Sequence, residues 1–211
     1  MPAPPEVIDW GRVAYRDAWQ RQLELVLSRA RGAIADQLIL CEHDAVITSG
    51  RGTPRASLAG LPFPLVEVER GGELTYHGPG QLVGYPIVDL RARGHDLHRY
   101  LRDLEELLLR ALLAFGLAGR REPGRTGVWV GQKKIGSIGV AVKRWVAYHG
   151  FALNVSTDLG AFTSFSPCGL RPEVMTSMRA LGCEVLLDDV KPRVSESFAA
   201  VFGVTRASTA P

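Results

Sequence analysis

The chain has 211 residues, a mass of 23.0 kDa and a formal net charge of +3 at pH 7. Hydrophobic residues make up 46% and charged residues 22%, which is ordinary for a folded protein and excludes a disordered, collagen-like or wholly coiled-coil chain. No apolar run approaches the ~20 residues that a membrane-spanning helix needs. The N-terminus has no basic segment followed by an apolar stretch, so we expect no secretory signal, a cytoplasmic location and no membrane partner.

Hydrophobic periodicity predicts helices and strands in mixed order. Apolar residues recur every three or four positions in the predicted helices, which span 13–30, 96–115 and 194–202. Short apolar or alternating runs predict strands at 38–41, 46–48, 65–68, 82–89, 128–130, 135–142 and 146–155. Pro86 predicts that its strand lies at an edge or carries a bulge, because proline cannot donate a ladder hydrogen bond. We therefore expect an α+β fold, a mixed β-sheet flanked by helices, in one domain over residues 1–211 with a loose tail at 207–211.

Arginine is unevenly distributed along the chain. Eight arginines lie within one stretch of the sequence: Arg91, Arg93, Arg99, Arg102, Arg110, Arg120, Arg121 and Arg125. A solvated helix face explains such a run. The alternative is a docking surface for an acidic partner, either nucleic acid or an acidic protein.

The three cysteines differ in their surroundings. Because their number is odd and no two form a C-x-x-C pair, we expect neither a disulfide framework nor a zinc cluster. Cys41 and Cys183 lie in apolar, strand-like segments, where cysteine is normally inert packing. Cys168 lies between a proline and a glycine, which predicts an exposed thiol on a turn. The pair His95-x-x-His98 has no third ligand nearby, so we interpret it as the surface at the start of a helix and expect no metal site.

Two glycine-bearing segments predict a close approach by a ligand. Residues 70–81 contain five glycines or prolines in twelve positions, and either a ligand site or an elaborate hairpin loop explains them. Residues 133–140 lead from two lysines into a strand whose glycines leave a shallow trough. Neither segment contains a phosphate-binding loop or a dinucleotide fingerprint.

A reactive Cys168 would need activation. At the ordinary thiol pKa of about 8.5, only about 3% is thiolate at pH 7. One ammonium about 4 Å away interacts by roughly 4 kcal/mol at an effective dielectric near 20, which is enough to lower a thiol pKa by about two units. Lys134, His77 and His149 are the candidates, and the residues alone do not choose among them.

Seven motifs together resemble the lipoyl(octanoyl) transferase family of the biotin/lipoyl protein ligase superfamily. They run in order from about residue 37 to residue 170: Glu42-His43, Thr48-x-Gly50-Arg51, Arg70-Gly71-Gly72 with Thr75 to Gln81, Gly127-Val128-Trp129, Lys134-Ile135, His149 to Asn154, and Pro167-Cys168-Gly169. Gly136-Ser137 departs from the alanine-like residues expected there, but both remain small.

The resemblance implies a biotin/lipoyl protein ligase-like fold and a single catalytic domain. It implies that Cys168 is the nucleophile and that Lys134 lowers its pKa. The acyl-binding residues that it implies are Arg70, Gly71, Gly72, Glu73, Leu74, Thr75, Tyr76, His77, Ser137, Ile138, Gly139, His149, Gly150, Phe151 and Ala152.

The reaction that the resemblance implies is octanoyl transfer from acyl carrier protein to a specific lysine of lipoyl domains, through a cysteine thioester. Such domains occur in 2-oxo acid dehydrogenase complexes and in the glycine cleavage H protein, and the transfer is the first step of endogenous protein lipoylation. The scheme needs no metal, nucleotide or other cofactor, and no nucleic acid partner. Alternatives are an ATP-dependent lipoate or biotin ligase, octanoyl transfer between two lipoyl domains, and a basic module for nucleic acid, although aromatic residues do not interleave with the arginines.

Overall fold

The structure, a computed structural model, describes residues 5–163, 165 and 171–203. Helices α1, α2 and α3 span Tyr15–Ala30, Leu97–Leu113 and Leu187–Phe202. Strands β1 to β10 span, in order, Glu6–Arg12, Gln37–Glu42, Val46–Ser49, Leu65–Glu67, Leu74–His77, Gln81–Asp89, Gly119–Glu122, Arg125–Val130, Lys133–Lys143 and Val146–Asn154. The predicted tail at 207–211 lies outside the described residues.

The strands of the described residues form two sheets. The larger has seven strands in the order β1-β2-β6-β10-β9-β8-β7, and the smaller has the order β4-β3-β5. In the larger sheet β1 runs parallel to β2, whereas the other neighbours are antiparallel. The α+β fold with a mixed sheet flanked by helices is therefore confirmed.

The two faces of the larger sheet are covered by different helices. Alternate residues of β2 point to opposite faces, so Leu38 and Leu40 join the apolar cluster with α2 and α3, whereas Ile39 and Cys41 join the cluster beneath α1. Burial on both faces explains why this strand reads as a continuous apolar run. Among the described residues, no helix is both long and apolar enough to cross a membrane.

Helices α1 and α2 confirm the predicted periodic segments, but the start of α3 was predicted wrongly. This helix begins at Leu187, seven residues before the predicted start at Val194. The Asp189 carboxylate accepts a hydrogen bond from the Leu186 N–H at 2.8 Å and so caps the first turn. Pro192 lies within the helix and removes only the one hydrogen bond that its N–H would donate to the Asp188 carbonyl, so it does not end the helix.

Three strands were missed by hydrophobic periodicity. Two of them, β1 and β7, lie at the edges of the large sheet, where exposed polar and charged side chains are tolerated. The third, β5, lies inside the glycine-rich segment and pairs with β3. Only Pro123 and Gly124 connect β7 to β8.

The prediction that Pro86 marks an edge or a bulge is wrong. Strand β6 lies between β2 and β10 in the middle of the sheet. The register with β10 is the same on both sides of the proline, with Ala147 opposite Val88 and Phe151 opposite Gly84. The pairing is interrupted over Tyr148 to Gly150, and His149, which lies opposite Pro86, adopts a φ of +54°.

Two further interpretations are settled by placement. Cys183 does not lie in a strand, because the turn ending at Gly182 leads into an irregular, half-buried segment there. His95 and His98 are exposed at the start of α2, as interpreted.

Most of the clustered arginines are neutralised within the chain by carboxylates, in the pairs Arg91–Asp89, Arg102–Glu105, Arg110–Glu106, Arg120–Glu122 and Arg121–Glu106.

Candidate active site

A cleft lies where α1, the small sheet and the centre of the large sheet meet. Its empty volume is about 380 Å³, which includes space that is open to solvent. The lining residues are Tyr15, Arg70, Thr75, His77, Val83, Tyr85, Ser137, Ile138, Gly139, His149, Gly150, Phe151 and Ala152. Ten of the fifteen residues that the resemblance assigned to acyl binding are among them, and their role in binding stays a prediction.

The other five assigned residues are not among those that line the cleft. Along β5, Thr75 and His77 face the cleft, whereas Leu74 and Tyr76 pack in a separate apolar cluster. The two-residue period of a strand causes this split, which a contiguous motif does not reveal. The lining set omits Gly71, Gly72 and Glu73 as well, and the Gly71 N–H donates to the Val140 carbonyl at 2.9 Å, which ties this turn to β9.

Arg70 brings a positive charge to the wall of the cleft. Its side chain is buried, and Nη2 donates to the carbonyl and the hydroxyl of Thr48 at 2.9 and 2.8 Å. Gly139 makes room for it, because a Cβ there would lie 3.0 Å from Cδ of Arg70. The glycine in this strand therefore accommodates the Arg70 side chain, and the close approach of a ligand along the predicted trough stays a prediction.

His77 presents a defined hydrogen-bond acceptor. Its Nδ1 lies 2.8 Å from Oε1 of Gln81, whose amide nitrogen donates to the Tyr76 carbonyl and to Oδ1 of Asn154. The Gln81 oxygen can only accept, so the hydrogen of His77 is on Nδ1 and its Nε2 is an acceptor. Burial lowers the pKa of His77 to about 3, so the ring is neutral at pH 7.

Three lining residues, Tyr15, Val83 and Tyr85, were not identified from the sequence. The Tyr15 ring stacks on His77 with the centroids 5.5 Å apart. The Tyr85 hydroxyl donates to Nε2 of His43 at 2.6 Å, since Nδ1 of His43 donates to the Val13 carbonyl. Side chains alternate between the two faces of a strand. Counting every second residue of β6 from the end of the glycine-rich segment could therefore have identified Val83 and Tyr85.

The interruption opposite Pro86 shapes another part of the wall. The His149 N–H, which has no partner in β6, donates to Oε1 of the fully buried Gln22 in α1 at 2.9 Å. Nε2 of His149 lies 3.8 Å from Oε2 of Glu69, and neither ring nitrogen has a hydrogen-bond partner among the described residues. Burial lowers the pKa of His149.

The carboxylate of Glu69 stays ionised beside this ring. The His149 imidazole and the hydrogen bond from the Tyr148 hydroxyl, at 2.6 Å, lower the pKa of Glu69 to about 2 against the opposing effect of its partial burial. The carboxylate therefore keeps its negative charge throughout the neutral pH range.

Lys134 is buried at the start of β9, with 4% of its surface exposed. Its ammonium lies 5.2 Å from the centre of the Trp129 ring, which is within the range of a cation–π contact. Gly127 leaves space for the side chain, because a Cβ there would lie 2.8 Å from Cε of Lys134. The same strand carries Ser137 to Gly139 into the cleft, so β9 links the lysine to the cleft wall.

Cys168 lies outside the described residues, and its pairing with Lys134 stays a prediction. The chain that follows it is described from Arg171. Met175 pairs with Lys134 in a parallel bridge, and the Thr176 N–H donates to the Lys134 carbonyl at 2.9 Å. The lysine strand is thus in direct contact with the segment that begins three residues after the cysteine.

The chain is similar in sequence to known proteins over most of its length. The model of the lipoyl protein ligase A/B catalytic domain matches residues 14–199. An octanoyltransferase of Geobacter metallireducens is 49% identical over 191 residues, covering 90% of each chain. An octanoyltransferase of Rubrobacter xylanophilus is 48% identical over 203 residues, covering 92% of this chain and 91% of its own.

Solved structures share the fold at low sequence identity. A crystal structure of lipoate-protein ligase A bound with ATP superimposes with a TM-score of 0.69 at 17% identity, covering 95% of this chain and 85% of that one. A bipartite lipoate protein ligase from Thermoplasma acidophilum, in a study of that ligase and its E2 lipoyl domain, has a TM-score of 0.70 at 17% identity, covering 94% and 83%. The family model covers most of the chain, and octanoyltransferases are nearly half identical to it in sequence over about nine-tenths of its length. Because the ordered motifs and the shared fold agree with this, the chain belongs to the octanoyltransferases of the lipoyl protein ligase A/B family.

Proposed function

We propose that this protein transfers an octanoyl group from acyl carrier protein to a specific lysine of lipoyl domains, as the first step of endogenous protein lipoylation. The acceptors are the lipoyl domains of 2-oxo acid dehydrogenase complexes and the glycine cleavage H protein. One observation carries the proposal: β9 joins a buried lysine to a glycine-containing cleft wall, in a chain whose relatives are octanoyltransferases. Family membership supports acyl transfer, and the donor, the acceptors and the route through Cys168 are our proposal.

In the first step, the Cys168 thiolate attacks the carbonyl carbon of the octanoyl thioester. A new carbon–sulfur bond forms, the bond to the carrier sulfur breaks, and the Lys134 ammonium gives its proton to the departing carrier thiolate. The chain is then held as an acyl-enzyme, while Lys134 becomes a neutral amine. Because one thioester replaces another, this step is nearly balanced in free energy.

In the second step, the amine of the acceptor lysine attacks the acyl-enzyme carbonyl. An amide bond forms, the bond to the Cys168 sulfur breaks, and neutral Lys134 accepts the proton that the incoming nitrogen loses. Cys168 leaves as a thiolate and Lys134 returns to its ammonium form, so the pair is ready for another cycle. The step is downhill because an amide replaces a thioester.

The cleft suits a short acyl chain. Val83, Ile138 and Ala152 contribute apolar surface, and Gly139 and Gly150 leave space beside them. Burying about seven methylene-sized groups at ~0.8 kcal/mol each gives an upper value near 5–6 kcal/mol for holding the chain. The positive charge of the Arg70 guanidinium lies at the same cleft, where it can orient the carbonyl oxygen of a bound acyl group, whereas Nε2 of the neutral His77 ring only accepts hydrogen bonds.

Mass spectrometry of the intact protein tests the proposal. We expect incubation with octanoyl carrier protein, without ATP, to add one octanoyl unit that maps to Cys168, and the addition of apo lipoyl domain to remove it. Cys168→Ala should abolish the adduct and Lys134→Met should slow its formation by at least 100-fold, whereas Cys183→Ala, a matched control at a half-buried thiol, should behave as wild type. Strict dependence on ATP, or an adduct on another residue, would contradict the proposal.

A further inference from the structure

A continuous run of buried side-chain amides connects the cleft to the lysine strand. Nδ1 of His77 donates to Oε1 of Gln81, Nε2 of Gln81 donates to Oδ1 of Asn154 at 2.9 Å, and Nδ2 of Asn154 donates to the Thr176 carbonyl at 2.9 Å. The Thr176 N–H then donates to the Lys134 carbonyl at 2.9 Å. His77, Gln81, Asn154 and Thr176 are all buried.

The direction of every hydrogen bond in this run is determined at its ends. The Tyr76 and Thr176 carbonyls can only accept, so they need the amide nitrogens of Gln81 and Asn154. Gln81 thereby uses both its N–H groups and its oxygen, and Asn154 uses its oxygen and one N–H. An ionised carboxylate cannot replace either amide, because it only accepts hydrogen bonds.

Asn154 also holds the segment after Cys168 through its backbone. The Met178 N–H donates to the Asn154 carbonyl at 3.0 Å, and the Asn154 side chain binds the same segment two residues earlier, at Thr176. On the other side, Met175 and Thr176 are bound to Lys134. The segment is therefore clamped between the end of β10 and the start of β9.

We infer that Gln81 and Asn154 are a positioning pair, which holds the segment leading from Cys168 in register with Lys134 and fixes the His77 ring in the cleft. This inference rests on the proposed function, because the register matters only if Cys168 and Lys134 act together as the proposed thiol–lysine pair. Neither amide is among the cleft-lining residues, so the pair acts through the groups that it orients.

The exchange Asn154→Asp tests the inference with a change of one functional group. When the aspartate is ionised, one oxygen still accepts from Gln81, but its other oxygen faces the Thr176 carbonyl, and two acceptors repel each other. We expect the pH midpoint of Cys168 alkylation by iodoacetamide to rise by about one unit and acyl-enzyme formation to slow by at least 10-fold. The KM for octanoyl carrier protein should stay within twofold, because the lining of the cleft is unchanged.

The matched control is Gln37→Glu. Gln37 is a buried amide in β2 that donates to Oε2 of Glu6 at 3.0 Å, so this exchange also replaces a donor by an acceptor that faces another acceptor, but outside the cleft lining and outside the run of amides. It should lower the melting temperature and leave the alkylation midpoint unchanged. Gln81→Met, which keeps the length of the side chain but removes its polar atoms, serves as a second variant, and it should also raise the midpoint if Asn154→Asp does not fold.

The alkylation profile requires no acyl donor, so it separates the inference from the proposed function. A midpoint in Asn154→Asp and Gln81→Met equal to that of wild type would overturn the positioning role, even when wild type forms the acyl-enzyme. A wild-type thiol with an ordinary pKa would instead overturn the thiol–lysine pair itself. If Gln37→Glu slowed acyl-enzyme formation as much as Asn154→Asp does, the slower rate would come from lower stability alone. That result would also overturn the inference.

Discussion

The two faces of the large sheet are built from different chemistry. The face beneath α2 and α3 is filled by aliphatic and aromatic side chains such as Leu40, Leu104 and Phe198. The face toward α1 and the small sheet contains the cleft, whose wall includes the buried polar residues Arg70 and His77. Burying polar groups costs free energy unless each is paired, and a core without them is simpler to stabilise. The comparison teaches that the purely apolar packing and the buried polar groups of the cleft lie mostly on opposite faces of one sheet, while Ile138 and Phe151 belong to both the cleft lining and the apolar cluster with α2 and α3.

Phe198→Ala should produce the largest effect on stability and leave the chemistry intact. The side chain is fully buried in α3, and removing a buried aromatic ring costs about 3–5 kcal/mol in the free energy of unfolding. Urea unfolding measures the loss, and alkylation of Cys168 over a pH range measures the chemistry. A shifted alkylation midpoint in a folded variant would break the comparison between the faces.

Gln22→Met should affect both stability and the cleft. It leaves the buried His149 N–H without an acceptor, which costs about 1–3 kcal/mol. Because His149 and Gly150 line the cleft, we expect the KM for octanoyl carrier protein to rise several-fold, more than kcat falls. Ser197→Ala, at a buried side chain on the opposite face, is the control, and an equal change in KM there would contradict the prediction.

The polar face should make stability depend on pH below neutrality. The pKa of His77 is about 3 in the folded state and near 6.5 in the unfolded state, so only the unfolded chain gains a proton as the pH falls between these values. The stabilisation is fully present above pH 6.5 and is lost as the pH falls toward 3. We expect a loss of about 1–2 kcal/mol between pH 7 and pH 5 from this residue.

Chemical unfolding at both pH values, in wild type and in His77→Asn, measures this contribution. The substitution should reduce the dependence on pH, since asparagine binds no proton in this range. His98→Asn is the control at an exposed histidine and should keep the wild-type dependence. Identical curves for wild type and His77→Asn would show that the buried ring does not cause the acid sensitivity.

Arg193→Ala should have the smallest effect. Arg193 pairs with Glu196 at 2.9 Å on the outer side of α3, where both side chains are at least half exposed. Such surface pairs contribute about 0–0.5 kcal/mol, because water and salt screen the attraction. Urea unfolding should therefore give a midpoint close to that of wild type, and a loss above 1 kcal/mol would show that this surface is more than a solvated face.

Local pattern was sufficient for most of the fold. Helices α1 and α2 have strong three-to-four-residue periodicity, and the strands at the centre of the sheet are apolar, so their type follows from short segments of sequence. The edge strands β1 and β7 have no such pattern, because an edge exposes much of its surface. Pro86 was misread because the rule concerns strands in general. Here His149 adopts a positive φ opposite Pro86, the ladder is interrupted there, and the His149 N–H donates to Gln22 instead of to β6.

The motifs identified most of the cleft but not its internal organisation. Glycine-rich segments and ordered motifs predicted ten of the lining residues. The sequence did not indicate that Leu74 and Tyr76 face away from the cleft, that Tyr15 and Tyr85 join it, or that Gln81 and Asn154 are hydrogen-bonded over 73 positions of the chain. These relations depend on strand pairing, which brings together residues that no local pattern relates.

The sequence by itself determined the fold class, the family resemblance and the residue types of the candidate chemistry, because apolar periodicity and motif order are properties of neighbouring residues. Only the tertiary structure decided which side chains share the cleft, which nitrogen of His77 carries the hydrogen, and which backbone groups Lys134 and Asn154 hold together. The physical reason is that a hydrogen bond or a pKa depends on distance and burial in space, and both are created when the distant strands pair.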